Sequence, residues 1–248
     1  MDYVFLKSYY EKEIKLTNDL LNQISQYNII ALFSSIQFVP HMENIMEQLQ
    51  AKYPDKKFIT SKPSRTNAKF QILGCNVYEK NFEFNGTVPE CYLYIGDGVF
   101  HPQAIVLSQK ESEKLTPVVR FNPRNDSIKI FTEDDIVVIL RKYRAGLLKF
   151  LNAENIGIYI TTKVGQQQYE FSKKIKEIYP KKNFYFFASE TLDIAGLEDF
   201  PFIDTWINTA CPRISLEDNA EFNLKMINID DAMRVKEIIS KDCILTRI

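Results

Sequence analysis

The chain is short of the residues that usually hold metals. In 248 residues it has two histidines, His41 and His101, and four cysteines, Cys75, Cys91, Cys211 and Cys243. Two histidines argue against a histidine-rich metal site. No Cys-x-x-Cys pair occurs, which excludes a zinc ribbon. The Cys-x-x-x-Cys-x-x-Cys run typical of radical iron–sulfur enzymes is absent too, so any cluster would have to collect its cysteines from distant parts of the chain. There is no Gly-x-Gly-x-x-Gly fingerprint for a dinucleotide. No apolar run reaches the roughly 18 residues of a membrane helix, so no membrane is expected. The N-terminal MDYVFLKSYYEKEIK breaks its apolar stretch at Lys7 and has no signal-peptide core. An excess of positive charge is also lacking: a net charge of −1 and a pI near 6.2 give no global affinity for nucleic acid. A cytoplasmic protein is therefore expected, with cysteines that are reduced, catalytic or metal-bound rather than paired in disulfides.

What is present is an ordinary globular balance, 45% hydrophobic and 25% charged residues, and a repeated pattern. Residues 3–6 read as a short strand and 17–27 as a helix. Residues 28–60 then read as a strand (Ile29–Phe33), a polar turn (Ser34–Gln37), a helix with Val39, Met42, Ile45, Met46 and Leu49 at helical spacing, and a second strand from Phe58. Residues 155–187 repeat this: strand Ile156–Ile160, turn Thr161–Gln166, a helix with Phe171, Ile175 and Ile178, and strand Phe184–Phe187. YPDKKF at 53–58 matches YPKKNF at 179–184, 126 residues on. The fold class expected is α/β: two similar βαβ-type domains with parallel sheets, related by internal duplication. Their expected bounds are an N-terminal extension at 1–28, a first domain at 29–152 and a second at 153–248. A long helix over 133–152 carries Glu133, Asp134 and Asp135 at its start and basic residues later. Two strands flank a turn at Asn122–Asp126, and a last helix is expected over Asp230–Ile239.

Several stretches could carry chemistry. The apolar run ending in Trp206-Ile207 leads into Asn208-Thr209-Ala210-Cys211-Pro212-Arg213. Pro212 has no N–H and stops a strand at the cysteine, and Arg213 places a positive charge near the sulfur, favouring thiolate. Alone, Cys211 reads first as a buried strand-end thiol. FQILGC (70–75) gives a second cysteine behind a small residue, and pseudo-symmetric domains would let both face one cleft. YLYIGDGVFHP (92–102) runs a buried strand into Gly96-Asp97-Gly98, either a tight turn or a place where a ligand meets backbone. His101 reads as a proton carrier or a satisfied turn histidine. Thr161–Gln166, containing Lys163, Gly165 and Gln166, precedes a helix and would suit a carboxylate, or is simply a capped loop. Cys91 reads as core and Cys243 as incidental.

FQILGC, YIGDGVFHP, TKVGQ and NTACPRISLED, in that order, resemble the diphthamide synthesis enzymes, the 2-(3-amino-3-carboxypropyl)histidine synthases. The resemblance runs over about residues 29–228 and implies a radical transferase. In that family three similar α/β domains each give one cysteine to a 4Fe-4S cluster. The cluster binds S-adenosylmethionine, and the 3-amino-3-carboxypropyl group goes to a histidine of translation elongation factor 2. The resemblance makes Cys75 and Cys211 cluster ligands. It makes Gly96, Asp97, Gly98, Lys163, Gly165, Gln166 and Arg213 the residues lining the cofactor. The chain departs from the family where Phe70 replaces a glycine and Val99 an arginine. The family's first domain has no counterpart beyond a remnant in residues 1–28. The expectation is thus a reduced or partner-dependent subunit, a homodimer or a heterodimer with a three-cysteine paralogue. Its third ligand would come from the partner, Cys91, Cys243 or a non-cysteine. The alternative is a non-catalytic scaffold pairing with such a paralogue.

Overall fold

Ile29–Ser34 has apolar side chains on both faces, as a central parallel strand requires, and all but Ile29 are buried. The computed structural model describes residues 8–163, 169–217 and 224–248; the strand expected at 3–6 lies outside them. The described chain divides into two units. One comprises residues up to Gln109 together with Lys114–Asp135, and the other Lys110–Glu113 together with Ile136–Ile248.

The first unit runs α1 (Asn18–Ile24), β1 (Ile29–Ser34), α2 (Met42–Lys52), β2 (Lys57–Ile59), β3 (Cys91–Ile95), α3 (Phe100–Ser108), β4 (Val118–Asn122) and β5 (Ser127–Phe131). Its sheet has the order β2-β1-β3-β4-β5, parallel except for the β4–β5 hairpin. Thr17 caps α1 by accepting the Leu20 N–H, and the helix ends at Ile24 instead of continuing to residue 27. The core gathers Leu20 and Ile24 from α1, Met42, Ile45 and Leu49 from α2, and Ile30, Leu32, Leu93 and Val119 from the sheet. Cys91 belongs to this core, as expected.

The second unit runs α4 (Val137–Asn152), β6 (Asn155–Thr161), α5 (Tyr169–Lys173), α6 (Ile175–Ile178), β7 (Asn183–Ser189), β8 (Thr205–Asn208), α7 (Pro212–Leu216), β9 (Met226–Asn228), α8 (Ile229–Ala232), α9 (Val235–Ser240) and α10 (Ile244–Arg247). Its parallel sheet has the order β7-β6-β8-β9. That is the order β2-β1-β3-β4 over again, so the expected duplicated α/β architecture is present. The helix α4 buries Leu140, Tyr143, Leu147 and Phe150 and goes with this second unit, ahead of the junction expected at Asn152–Asn155. Thr132 N–H donates to Asp135 Oδ2 at 2.9 Å, yet residues 133–135 form only a 3₁₀ turn before α4 begins. The last expected helix is two short ones, α8 and α9.

Strand β8 is held by its neighbours. Trp206 pairs with Gly157 of β6, and a Cβ on Gly157 would stand 2.4 Å from Trp206 Cε3. The indole therefore lies directly on the Gly157 backbone, a close approach only glycine permits. Phe187 packs on the indole with ring centroids 4.8 Å apart. Among the described residues no helix is long and apolar enough to cross a membrane.

Candidate functional site

In the first unit, candidate residues meet at the C-terminal ends of the parallel strands, where α/β sheets commonly bind ligands. Ser34 N–H donates to Phe70 O at 2.8 Å and Ile72 N–H to Ser34 O at 3.0 Å. This brings residues 70–72 alongside β1, in the lane that β2 has left. Phe70 enters in a left-handed conformation, φ +67°. Asn76 then fixes the next turn: its Oδ1 accepts Leu73 N–H at 2.8 Å, and its Nδ2 donates to Ser64 O at 3.2 Å. Cys75 rides on that turn, half-buried.

The loop Gly96-Asp97-Gly98 follows β3 and reaches the same place. Gly98 has φ +71°, a value that favours glycine. A Cβ on Gly96 would stand 2.8 Å from the Tyr94 hydroxyl. One residue past Val99, the Phe100 ring covers Gly74. The structure thus brings the turn before Cys75 against the start of α3, two residues past the glycine loop. Asp97 pairs with Arg124 at 3.4 Å on the surface. The His101 ring lies parallel to Tyr94, 6.4 Å between centroids. Burial lifts the Tyr94 hydroxyl to about 12, against the opposing pull of nearby Ser35. The hydroxyls of Ser34, Ser35, Ser61 and Tyr94 are buried without a well-formed hydrogen bond among the described residues. Ser34 and Ser35 end β1, and Ser61 and Tyr94 come from the lanes on either side of it, so this sheet edge is lined with hydroxyls. His41 takes no part: its Nε2 lies 2.6 Å from Tyr10 O.

In the second unit, Thr161 ends β6 and its Oγ1 accepts Lys163 N–H at 3.2 Å. The Lys163 side chain is exposed. Gly165 and Gln166 lie outside the described residues. Cys211 follows β8 as the N-cap of α7, with Pro212 in the first turn. Asn208 Nδ2 donates to Cys211 O at 2.8 Å and to Asn228 Oδ1 at 3.1 Å. Arg213 is buried, and its Nε donates to Glu217 Oε2 at 2.5 Å. Its charge is matched by Glu217 one turn along α7. None of the four cysteines is in a disulfide.

A family model for diphthamide synthesis proteins matches residues 1–238. The chain belongs to that family. It is 27% identical over 157 residues to the 2-(3-amino-3-carboxypropyl)histidine synthase of Pyrococcus horikoshii, covering 62% of this chain and 42% of that protein. Subunit 1 of the Schizosaccharomyces pombe synthase is 25% identical over 209 residues, covering 82% of this chain and 45% of the relative. The chain spans about half the length of these curated relatives. The fold matches crystal structures of Pyrococcus horikoshii Dph2 at a TM-score of 0.69 and 20% identity, covering 88% of this chain and 61% of that one. A second Dph2 structure, with a 4Fe-4S cluster, also matches at 0.69 and covers 91% and 63%.

Against this family, Phe70 gains a meaning. The position where the resemblance implies a glycine has a left-handed backbone, a conformation that favours glycine, with a phenylalanine in it. The two candidate thiols also prove to come from different places in the repeat. Cys75 lies beyond the β2 lane, whereas Cys211 follows β8, the counterpart of β3. The counterpart of Cys211 in the first unit is therefore the glycine loop and not Cys75.

Each candidate thiol is part-exposed at a sheet edge, as a metal donor should be. Cys91 and Cys243 are fully buried. Burial raises the Cys91 thiol to about 12, and Cys243 caps α10 instead of lying loose in a tail. Among the described residues no group of three or more histidine, cysteine or acidic side chains is gathered to hold a metal. A thiol is the donor type that iron–sulfur clusters use, and each unit offers one part-exposed cysteine.

The sequence reading missed the buried polar chain behind Cys211. Tyr143 OH donates to Asp231 Oδ2 at 2.6 Å and accepts Asn228 N–H at 3.0 Å. Lys110 Nζ lies 3.7 Å from Asp231, both side chains being buried. Burial pushes the Glu111 carboxyl up, but Arg234, Lys110 and Lys241 outweigh it and hold the carboxyl below its ordinary value. The one signal in the sequence was the asparagine ending both β8 and β9.

Proposed function

We propose that the chain serves the first step of diphthamide biosynthesis as a partner-dependent subunit. The reaction is transfer of the 3-amino-3-carboxypropyl group of S-adenosylmethionine to a histidine of translation elongation factor 2. The observation that carries this is the turn before Cys75 lying under the Phe100 ring, which follows the Gly96–Gly98 loop by two residues. In this reading Cys75 and Cys211 hold iron of a 4Fe-4S cluster. When bound, such a cluster supplies the electron that cleaves the sulfonium. The glycine loop lets a ligand reach the backbone. Asp97 and Arg124 offer opposite charges to the ammonium and carboxylate of its amino-acid end. Lys163 would offer a cation to a carboxylate, and Gly165 and Gln166 hydrogen-bond donors to the same kind of group. The remaining donors come from a second copy or a three-cysteine paralogue, in the cytoplasm.

Anaerobic iron–sulfur reconstitution tests this, on the full chain alone and mixed with a three-cysteine family member. Iron bound by the mixture, and lowered by Cys75→Ala or Cys211→Ala in this chain, supports it. A colourless, iron-free chain in both settings sinks it. The lack of a three-donor group among the described residues favours a second reading, a scaffold. It is distinguished by a mixture whose activity needs this chain but not its two thiols.

A further inference from the structure

Two asparagines, one at the end of each of two paired strands, grip the corner that carries Cys211. Asn208 and Asn228 are register partners across β8 and β9, and their side chains are bonded to each other. Neither is a surface residue: they are 1% and 3% exposed. Asn208 holds both sides of the turn. Its Nδ2 donates to Cys211 O at 2.8 Å, and its Oδ1 accepts Ala210 N–H at 2.9 Å. Asn228 Nδ2 donates to the next carbonyl, Pro212 O, at 3.1 Å. A side-chain amide supplies donor and acceptor together in this way. The pair is fixed from behind, since Asn228 N–H is held by Tyr143 OH, Tyr143 by Asp231, and Asp231 by Lys110. Thr209 is tied separately, its Oγ1 donating to Tyr159 O at 2.9 Å.

We infer that Asn208 and Asn228 are positioning residues for Cys211, bolting the Cys211–Pro212 backbone so that the thiol keeps one direction and one exposure. The inference rests on the reading of Cys211 as an iron ligand only for its purpose, since the bolt exists whether or not iron binds. A buried network with every member bonded holds a unique geometry, and removing one link loosens those next to it. The first unit offers a natural control, because Cys75 sits on a turn with its own clamp, Asn76.

The test is site-resolved alkylation of the reduced full chain without iron. Iodoacetamide labelling of Cys211 and Cys75 is followed by peptide mass mapping. Asn208→Ala, Asn228→Ala and the double variant are each expected to speed labelling of Cys211 about fivefold, the worth of one net hydrogen bond. Cys75 should keep its native rate. The double variant should match the single ones, as for residues acting as a unit. Asn208→Asp keeps the size and the acceptor but cannot donate to Cys211 O; it should behave like Asn208→Ala and so separates positioning from mere filling. An unchanged Cys211 rate in any folded variant overturns the inference, as does an equal rise at Cys75. Should the alanine variants lose their circular dichroism, Asn208→Asp alone decides between the same two outcomes. The iron reading fails separately, when reconstitution with a partner leaves Cys211→Ala with native iron content.

Discussion

The ring of Phe100 lies on the α-carbon of Gly74: a methyl group there would stand 1.9 Å from Phe100 Cε1. Phe100 is 49% exposed, so the ring has room to swing out. Gly74→Ala is therefore expected to cost about 1 kcal/mol or less. It should uncover the Cys75 turn, and the checks are a urea unfolding curve and a faster alkylation of Cys75.

Gly157→Ala makes the contrasting case. The obstructing ring is Trp206, 1% exposed and packed by Phe187 and Phe200. Nothing there can give way without moving β8. A loss of about 2–3 kcal/mol is expected, as for an overpacked core, measured from the urea midpoint at constant slope.

Phe70→Gly weighs two opposed terms. Glycine relieves a left-handed residue, worth about 1–2 kcal/mol. It also deletes a side chain that is 2% exposed and part of the first unit's core, worth about 3–5 kcal/mol. Burial wins, so the variant should be less stable although it introduces the glycine that the resemblance implies. Equal or higher stability in urea would show that strain dominates.

Alkali should weaken the first unit. Burial lifts Cys91 from 9.0 to about 12. Tyr92 and Tyr94 rise from 10.0 to about 12, also chiefly through burial. Each native value lies above the unfolded one. The stabilisation is therefore complete below the unfolded values and is lost as pH rises from 9 or 10 towards 12. At pH 11 each tyrosine has given up about 1 kcal/mol. Urea midpoints measured from pH 8 to 11 should fall, and Tyr92→Phe should fall less steeply.

Local periodicity made the architecture legible: the paired YPDKKF and YPKKNF elements marked the two βαβ units because strand and helix patterns are short-range. Cys75 and Cys211 were legible as candidates for the same reason, each ending an apolar run. Their different places in the repeat could also have been read. The 126-residue offset carries Cys75 onto Pro201, ten residues short of Cys211. The partner of Arg213 was within reach too, as Glu217 stands one helical turn on, but α7 was not foreseen. The bonds of Lys110 to Asp231 and of Tyr143 to Asn228 span 121 and 85 residues. Pairings at that separation leave no periodic trace, so beyond the strand-end asparagines the support behind Cys211 was not legible.

Lys110–Glu113 belongs to the second unit although it is encoded within the first. Leu245 N–H donates to Lys110 O at 2.8 Å and Ile244 N–H to Ser112 O at 2.9 Å, so the last helix closes on the inserted segment. On the ribosome this segment emerges more than a hundred residues before the C-terminal helical region it will join. A gene severed at residue 136 would therefore yield a C-terminal fragment whose buried Asp231 has lost its lysine. Fusing residues 110–113 back onto that fragment, for example beyond Ile248, is the rational way to make it stand alone.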